Sequence, residues 1–245
     1  MAAIGHLAEL FAMTRCANHA GVVMLWWAFD ESYEHSRETG HATRVTVGGA
    51  IGSCEQWLAL EWAWRRVLAD ADIPEFHMTD FEAWTPPFDF RLQDGSRDKD
   101  KHNRLLSSLL GIMEENLNHF FGVSRELEVG EANETEAYQL CVDDIIAELA
   151  RYKHKTFKDR FAMIFARRKG WRLDLVEDAI EREGADKFGP IMIDRPKDVC
   201  ALQAADIIAY ETARVQRSGR SERYPFLRLR DATIRSGGTF SLAVR

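Results

Sequence analysis

The sequence predicts an α/β protein with a mixed β-sheet of about five or six strands flanked by helices. Strand segments at 22–29, 44–52 and 75–81 come early in the chain, and helices then alternate with strands to near its end. We find no internal repeat, no low-complexity segment and no linker that would divide the 245 residues. We therefore expect a single domain over 1–245.

The first of these strands is a run of eight apolar residues, 22–29, which is too short to cross a membrane. Such a run is typical of a central strand that is buried on both faces. Asp30 and Glu31 follow it directly, so we predict that the strand ends there, at the edge where open α/β sheets bind ligands. The alternative is a polar turn in which Asp30 starts the turn and Glu31 is solvated.

Capping residues and hydrophobic periodicity predict the remaining elements. Ser53 is the expected N-cap of the first helix, with Glu55 and Gln56 in its first turn. Residues 83–102 contain a long loop. Further strands are predicted at 120–124, 161–166 and 191–193, and helices at 55–71, 98–118, 133–149, 171–183 and 198–216.

The two ends of the chain differ from its body. An apolar helical stripe predicts an N-terminal docking helix at about 3–15, and we expect no signal peptide there. About 217–245 is a basic extension; eight arginines and no lysine lie between 214 and 245, although the whole chain carries a net charge of −7. Arg214 and Arg217 are candidates for contact with nucleic acid, and the alternative is a solvated tail.

Cysteine usage and hydropathy indicate the compartment. The four cysteines show neither a Cys-x-x-Cys pair nor zinc-knuckle spacing, so we expect reduced thiols in a cytoplasmic protein. No stretch is long enough to cross a bilayer, and we expect no membrane association.

Asp206 lies on an otherwise apolar face of the last predicted helix. Leu202, Ala209 and Ala213 share this face at helical spacing. An isolated charge on a buried face is costly. Asp206 therefore either bonds to a backbone N–H or an arginine, or points at the strand end that carries Asp30.

Three motifs, in this order, resemble those of the domain of unknown function 3800, a family thought to be ribonuclease-H-like. They are FDES at 29–32, FHMTD at 76–80 and ALQAADIIAY at 201–210. The resemblance covers about 22–217 and implies a single ribonuclease-H-like domain. Nucleases of this fold place one aspartate on the first strand and another acid on the final helix, and Asp30 and Asp206 match these two places.

The resemblance implies a metal-dependent phosphodiesterase or nuclease that acts on nucleic acid. Asp30 and Asp206 would hold Mg²⁺ or Mn²⁺, with Asp80 as a further candidate ligand. Glu31 is a further candidate catalytic acid, which enters the site only if the turn begins at Asp30. His77 is a candidate general acid or base, and the alternative is a hydrogen-bonded structural histidine.

The chain departs from the family after the strand at 161–166. There we expect an acid, but Arg167, Arg168 and Lys169 follow. These cations weaken metal binding if they point at the site, or they bind a phosphate. The alternative function is therefore a catalytically inactive relative that binds nucleic acid or a protein partner. The acids that could replace the missing ligand are Asp80, Glu126 and Asp194.

Overall fold

The computed structural model describes residues 25–36, 38, 40–117, 119–127, 134–156, 161–167, 173–218, 223–235 and 240–244. The strands are β1 (Leu25–His35), β2 (Ala42–Ser53), β3 (His119–Glu126), β4 (Phe161–Ala166), β5 (Phe188–Asp194) and β6 (Phe240–Val244). The α-helices are α1 (Cys54–Ala71), α2 (Met78–Ala83), α3 (Lys99–Asn116), α4 (Glu134–Thr156), α5 (Leu173–Glu183), α6 (Cys200–Ser218) and α7 (Tyr224–Arg235), and a 3₁₀ turn spans Ala185–Lys187.

The strands form one mixed sheet in the order β5-β4-β1-β2-β3-β6. β1, β2 and β3 are antiparallel neighbours, whereas β4 runs parallel to β1, β5 to β4 and β6 to β3. β1 is therefore an interior strand, as its apolar run predicts. The mixed sheet flanked by helices confirms the predicted α/β class and is consistent with a ribonuclease-H-like fold.

The sheet separates two apolar clusters, and β1 contributes to both because its side chains alternate. Trp26 and Ala28 pack with residues of α1, α3 and α6, whereas Trp27 and Phe29 pack with residues of α4 and α5. Asp30 continues the alternation that begins with Trp26 and Ala28. Its side chain therefore belongs to the face of the sheet that α6 covers.

A glycine lets α6 lie directly on this face. Gly48 is the β2 residue paired with Asp30, and paired residues present their side chains on the same face of a sheet. A Cβ at Gly48 would lie 2.4 Å from the backbone nitrogen of Ala209. Because Asp206 lies one helical turn before Ala209, this contact brings the helical acid towards Asp30.

Gly48→Ala is expected to lower the free energy of unfolding by about 1–3 kcal/mol, because the added methyl group collides with helix backbone that cannot rotate away. Gly122→Ala should cost less, since its Cβ would meet the side chain of Thr212. Gly111→Ala in α3 is the control: its nearest neighbour, Arg228, is 3.8 Å away, and a gain of about 0.5–1 kcal/mol is expected. Urea denaturation measures all three, and equal losses at 48 and 111 would contradict the close contact.

Two element predictions are wrong. β1 does not end at Asp30 but continues to His35, because β2 stays paired with it after β4 has ended. The segment at 75–81, expected to be a short strand or strand-like, is extended at His77 but becomes helical at Met78, where α2 begins. The backbone N–H groups of Phe76 and Met78 bond to side chains of α6.

Two elements at the C-terminal end were not predicted. α7 and β6 lie within the basic extension, and the α7 side chains of Phe226 and Leu229 are buried. The expected docking helix at about 3–15 lies outside the described residues. Within the described part of the chain, no helix combines the length and the apolar character needed to cross a membrane.

Candidate functional site

Asp30 lies where the parallel half of the sheet ends. β4 pairs with β1 only as far as Phe29, so Asp30 is the first β1 residue beyond that pairing. Its Oδ1 accepts a hydrogen bond of 2.8 Å from the backbone N–H of Glu31. The residue keeps some exposed surface, but the protein around it desolvates the carboxyl group, and this burial raises the pKa of Asp30 well above its usual value.

Asp206 is only 4% exposed. Its Oδ2 accepts a hydrogen bond of 2.6 Å from the backbone N–H of Met78, which is one of the structural roles that the sequence left open. Burial raises the pKa of Asp206 to about 6; the charge of His77 and the bond from Met78 oppose the rise, and the charge of Asp80 adds to it. At neutral pH the Asp206 carboxyl group is therefore ionised although it is buried away from water.

The structure brings Asp30 and Asp206 into electrostatic contact. After burial, the charge of Asp206 is the largest cause of the raised pKa of Asp30, and the charge of Glu31 follows. Two acids from distant parts of the chain thus form one negatively charged site at the end of β4, on the face covered by α6.

Glu31 acts on this site by charge. Because β1 stays extended through Glu31, the turn that would place this side chain beside Asp30 is absent, and neighbouring side chains leave a strand on opposite faces. The flexible end of Glu31 nevertheless approaches Asp30, since both its charge and a side-chain hydrogen bond raise the pKa of the Asp30 carboxyl group.

His77 and Asp80 form a hydrogen-bonded pair at the start of α2. His77 is the N-cap residue, and its Nδ1 lies 2.9 Å from Asp80 Oδ2, with both side chains about half exposed. The Thr85 hydroxyl lies 3.3 Å from Asp80 Oδ1 and donates to it. Burial opposes a charged imidazole, but the charges of Asp206, Asp80 and Glu75 outweigh it and raise the pKa of His77.

Gln203 holds the segment that precedes α2. Its Oε1 accepts hydrogen bonds from the backbone N–H of Phe76 at 3.0 Å and from Trp64 Nε1 at 2.9 Å. Its Nε2 donates to the carbonyl oxygen of Pro196 at 2.8 Å. With both ends of its amide bonded, Gln203 positions protein backbone.

Gln203 and Asp206 together determine where His77 lies. They are one turn apart on α6, and they accept from the N–H groups of Phe76 and Met78, the residues on either side of His77. A helix of six residues has little stability of its own, so these bonds and the surrounding apolar contacts place α2. The second sequence motif, at 76–80, is therefore joined to the third, at 201–210, by these two hydrogen bonds.

The candidate phosphate-binding arginines have different surroundings. Arg214 pairs with Glu82 at 3.5 Å, and Arg217 pairs with Glu34 at 2.7 Å; about half or more of each arginine side chain stays exposed. Arg167 is exposed immediately after β4, and its backbone N–H donates to the carbonyl oxygen of Asp194 at 2.7 Å. Arg168 and Lys169 lie outside the described residues.

An ion pair that the sequence did not reveal joins the buried Glu211 of α6 to the partly buried Arg223, the residue before α7. Arg223 Nε lies 2.8 and 2.9 Å from the two carboxylate oxygens of Glu211, and Arg223 Nη1 donates to Glu82 at 2.9 Å. Glu82 belongs to α2, so this pair also fixes the helix that carries Asp80. The sequence signal was weak, since Arg223 and Glu211 are twelve positions apart and flank the end of a helix.

The carboxylates available to bind a metal ion at this site are those of Asp30 and Asp206. Within the ranges that the structure describes, no group of three or more His, Cys, Asp or Glu side chains is placed to hold a metal ion. Asp80 already accepts hydrogen bonds at both oxygens, Glu126 pairs with Arg44, and Asp194 accepts from the backbone N–H of Arg195 at 2.8 Å. Two carboxylates still suit Mg²⁺, which keeps several waters and takes further oxygens from substrate phosphates.

Comparison with known proteins adds no relative: no protein-family model matches the chain, and no curated protein matches it.

Proposed function

We propose that this protein is a metal-dependent phosphodiesterase that cleaves nucleic acid, with Asp30 and Asp206 as the residues that hold Mg²⁺ or Mn²⁺. One observation carries the proposal: two desolvated carboxyl groups act on each other at the end of a parallel strand pair, and their pKa values are raised. Keeping both ionised at neutral pH is unfavourable, and a divalent cation between them would offset that repulsion.

A bound cation would supply an activated water and stabilise the charge that develops on the phosphate. The residues of the chain do the rest. Asp206 is held by Met78, and Asp30 by the N–H of Glu31, so both carboxylates are oriented before any ligand arrives. Arg167, exposed after the end of β4, would contact a substrate phosphate. The resemblance to the domain of unknown function 3800 supports this assignment.

The test of this proposal is cleavage of labelled single- and double-stranded DNA and RNA with Mg²⁺ or Mn²⁺. Wild type should cleave at least one substrate, and cleavage should stop when the cation is chelated. Asp206→Asn keeps the side-chain shape and removes the charge, so cleavage should fall at least a hundredfold. Asp70→Asn makes the same chemical change on an exposed position of α1 and should cleave like wild type. Absence of cation-dependent cleavage by pure wild type would refute the proposal.

The second candidate is a catalytically inactive relative that binds nucleic acid or a protein partner. Its support is the hydrogen bond from Met78 to Asp206, which gives this acid a structural role. In addition, no three acid, histidine or cysteine side chains of the described residues are placed to hold one metal ion. In such a protein Asp206→Asn would alter stability and leave no cleavage to lose, so the same assay separates the two candidates.

If the exposed arginines contact phosphate, the affinity for nucleic acid should depend on them and on the salt concentration. The triple variant Arg167→Ala, Arg214→Ala, Arg217→Ala should bind more weakly, and the slope of log affinity against log salt should become shallower by roughly 0.7–0.9 for each phosphate that the variant no longer neutralises. The control replaces Arg151 and Arg182, exposed residues of α4 and α5. An unchanged slope in the triple variant would show that these arginines do not contact phosphate.

A further inference from the structure

We infer that Trp84 is a stacking platform for a base of single-stranded nucleic acid. The inference rests on the proposed function for the class of ligand. It adds the form of strand that binds, and a residue outside the two carboxylates that recognises it.

Trp84 is the outer ring of an aromatic stack that begins in the core. The ring of Phe81 is fully buried, and the centroid of the His102 ring lies 3.6 Å from it at an interplanar angle of 16°. The Trp84 ring follows at 3.9 Å and 4°. His102 is only 6% exposed, whereas Trp84 is partly exposed. A nucleobase is a further flat ring and would continue this stack at its solvent end.

The ring beneath Trp84 is fixed. His102 lies between two aromatic rings, and its Nε2 donates to the carbonyl oxygen of Phe81 at 2.9 Å. The orientation of the Trp84 ring is therefore set before any ligand binds, which lowers the cost of ordering it in a complex.

The backbone of Trp84 is a second, independent observation. Trp84 is the C-cap residue of α2, with φ 58° and ψ 32°, which is the left-handed conformation. Bulky residues rarely adopt this conformation, and glycine is the usual residue at such a helix end. The end of α2 therefore does not require an indole, whereas a platform at the end of the stack does.

The helix α2 joins this platform to the pair of acids. Its first residue, Met78, donates to Asp206, and Trp84 follows its last residue. The hydroxyl of Thr85 donates to Asp80 of the same helix at 3.3 Å. The six residues of α2 span about 9 Å, which is the length of two or three stacked nucleotides at ~3.4 Å each. A strand with a phosphate at the acids would thus have a base within reach of Trp84.

The charges near Trp84 are nearly balanced, so stacking would contribute more than phosphate contacts. The guanidinium carbon of Arg97 lies 4.8 Å from the centroid of the Trp84 ring. However, residues 84–104 contain five arginines and lysines and four aspartates, a net charge of +1. An unpaired base can leave its own stack and offer a face to an aromatic side chain, whereas a base within a duplex is covered on both faces. The platform therefore selects single strands.

The test measures binding of fluorescein-labelled single-stranded DNA and RNA in EDTA, so that no metal-dependent cleavage occurs. Trp84→Gly removes the ring and introduces the residue that the left-handed backbone favours. Affinity for at least one single strand should fall about 5–150-fold. Affinity for an abasic oligonucleotide of the same length, which has phosphates but no bases, should change by less than about twofold.

Two further variants serve as controls. Trp84→Phe keeps a flat ring and should keep most of the affinity for single strands. Trp62→Ala removes the tryptophan of α1 that is 62% exposed, and it should bind like wild type.

Equal losses on normal and abasic oligonucleotides would overturn the platform, because they would reflect general damage to the surface. Unchanged binding by Trp84→Gly, or failure of wild type to bind any single strand, would overturn it as well. The proposed function is judged separately by cleavage with Mg²⁺ or Mn²⁺. Base-dependent binding through Trp84 without cleavage would support the platform and refute the nuclease, whereas cleavage with unchanged binding by Trp84→Gly would do the reverse.

Discussion

Arg223→Met is expected to lower the free energy of unfolding by about 3–5 kcal/mol. Glu211 is 1% exposed, and Arg223 bonds both of its carboxylate oxygens. Removing the guanidinium would leave a buried carboxylate without this partner, and burial already raises the pKa of Glu211 against the opposing effect of Arg223. Urea denaturation at pH 7 would measure the loss.

Two controls separate the buried pair from an ordinary surface charge. Arg230→Met removes an arginine from a partly exposed pair with Asp231, and it should cost less than about 1 kcal/mol. The double variant Arg223→Met, Glu211→Gln leaves no buried charge in this pair, so it should recover part of the loss. A loss at Arg223 no larger than that at Arg230 would contradict the assignment of a buried ion pair.

Asp206→Asn is expected to raise the free energy of unfolding at pH 7 by on the order of 2 kcal/mol in the absence of divalent cations. The folded pKa of Asp206, about 6, is above the ordinary value of 3.8. The folded protein therefore holds this proton to higher pH than the unfolded chain does. The resulting stabilisation is fully present below about pH 4 and is lost as the pH rises through about 6. An asparagine carbonyl can still accept from Met78 but never ionises.

Thermal unfolding between pH 4 and pH 7 measures this effect. The advantage of Asp206→Asn should grow over that interval, while Asp70→Asn, on the exposed end of α1, should follow wild type throughout. Adding Mg²⁺ at pH 7 should stabilise wild type and leave Asp206→Asn unchanged, because a ligand that binds only the folded state stabilises it. Asp206→Asn that is less stable than wild type at pH 7 without cations would show that the hydrogen bond from Met78 outweighs the cost of the buried charge.

The sequence was informative wherever one face of an element is apolar. Strand alternation places Asp30 on the sheet face that α6 covers, and the helical face of Asp206 is buried, so the sequence was enough to place both acids in the same sheet–helix layer. Ser53 and Gln56 form the reciprocal capping box expected at the start of α1. Apolar faces and capping residues are local features of the sequence. The folded protein keeps them because its core is formed by the same apolar faces.

Elements whose state depends on a distant partner were harder to predict. Residues 30–35 are polar, yet they form a strand because β2 supplies the hydrogen bonds. The arginines of α7 resemble a solvated tail, but Arg228 pairs with Glu114 of α3, and Phe226 is buried below them. Gln203 and Asp206 satisfy backbone groups of the 76–78 segment, and no pattern within that segment indicates acceptors more than a hundred positions away.

The position of α6 near the end of the chain has a consequence for biosynthesis. The ribosome releases β1 to β4 long before it releases α6, which lies against β1, β2 and β3. Until then the part of the sheet face that α6 covers, including Gly48 and Gly122, lacks its cover, and Asp30 lacks the neighbouring charge of Asp206. A nascent chain that stops before α6 should therefore be aggregation-prone and should lack the pair of acids.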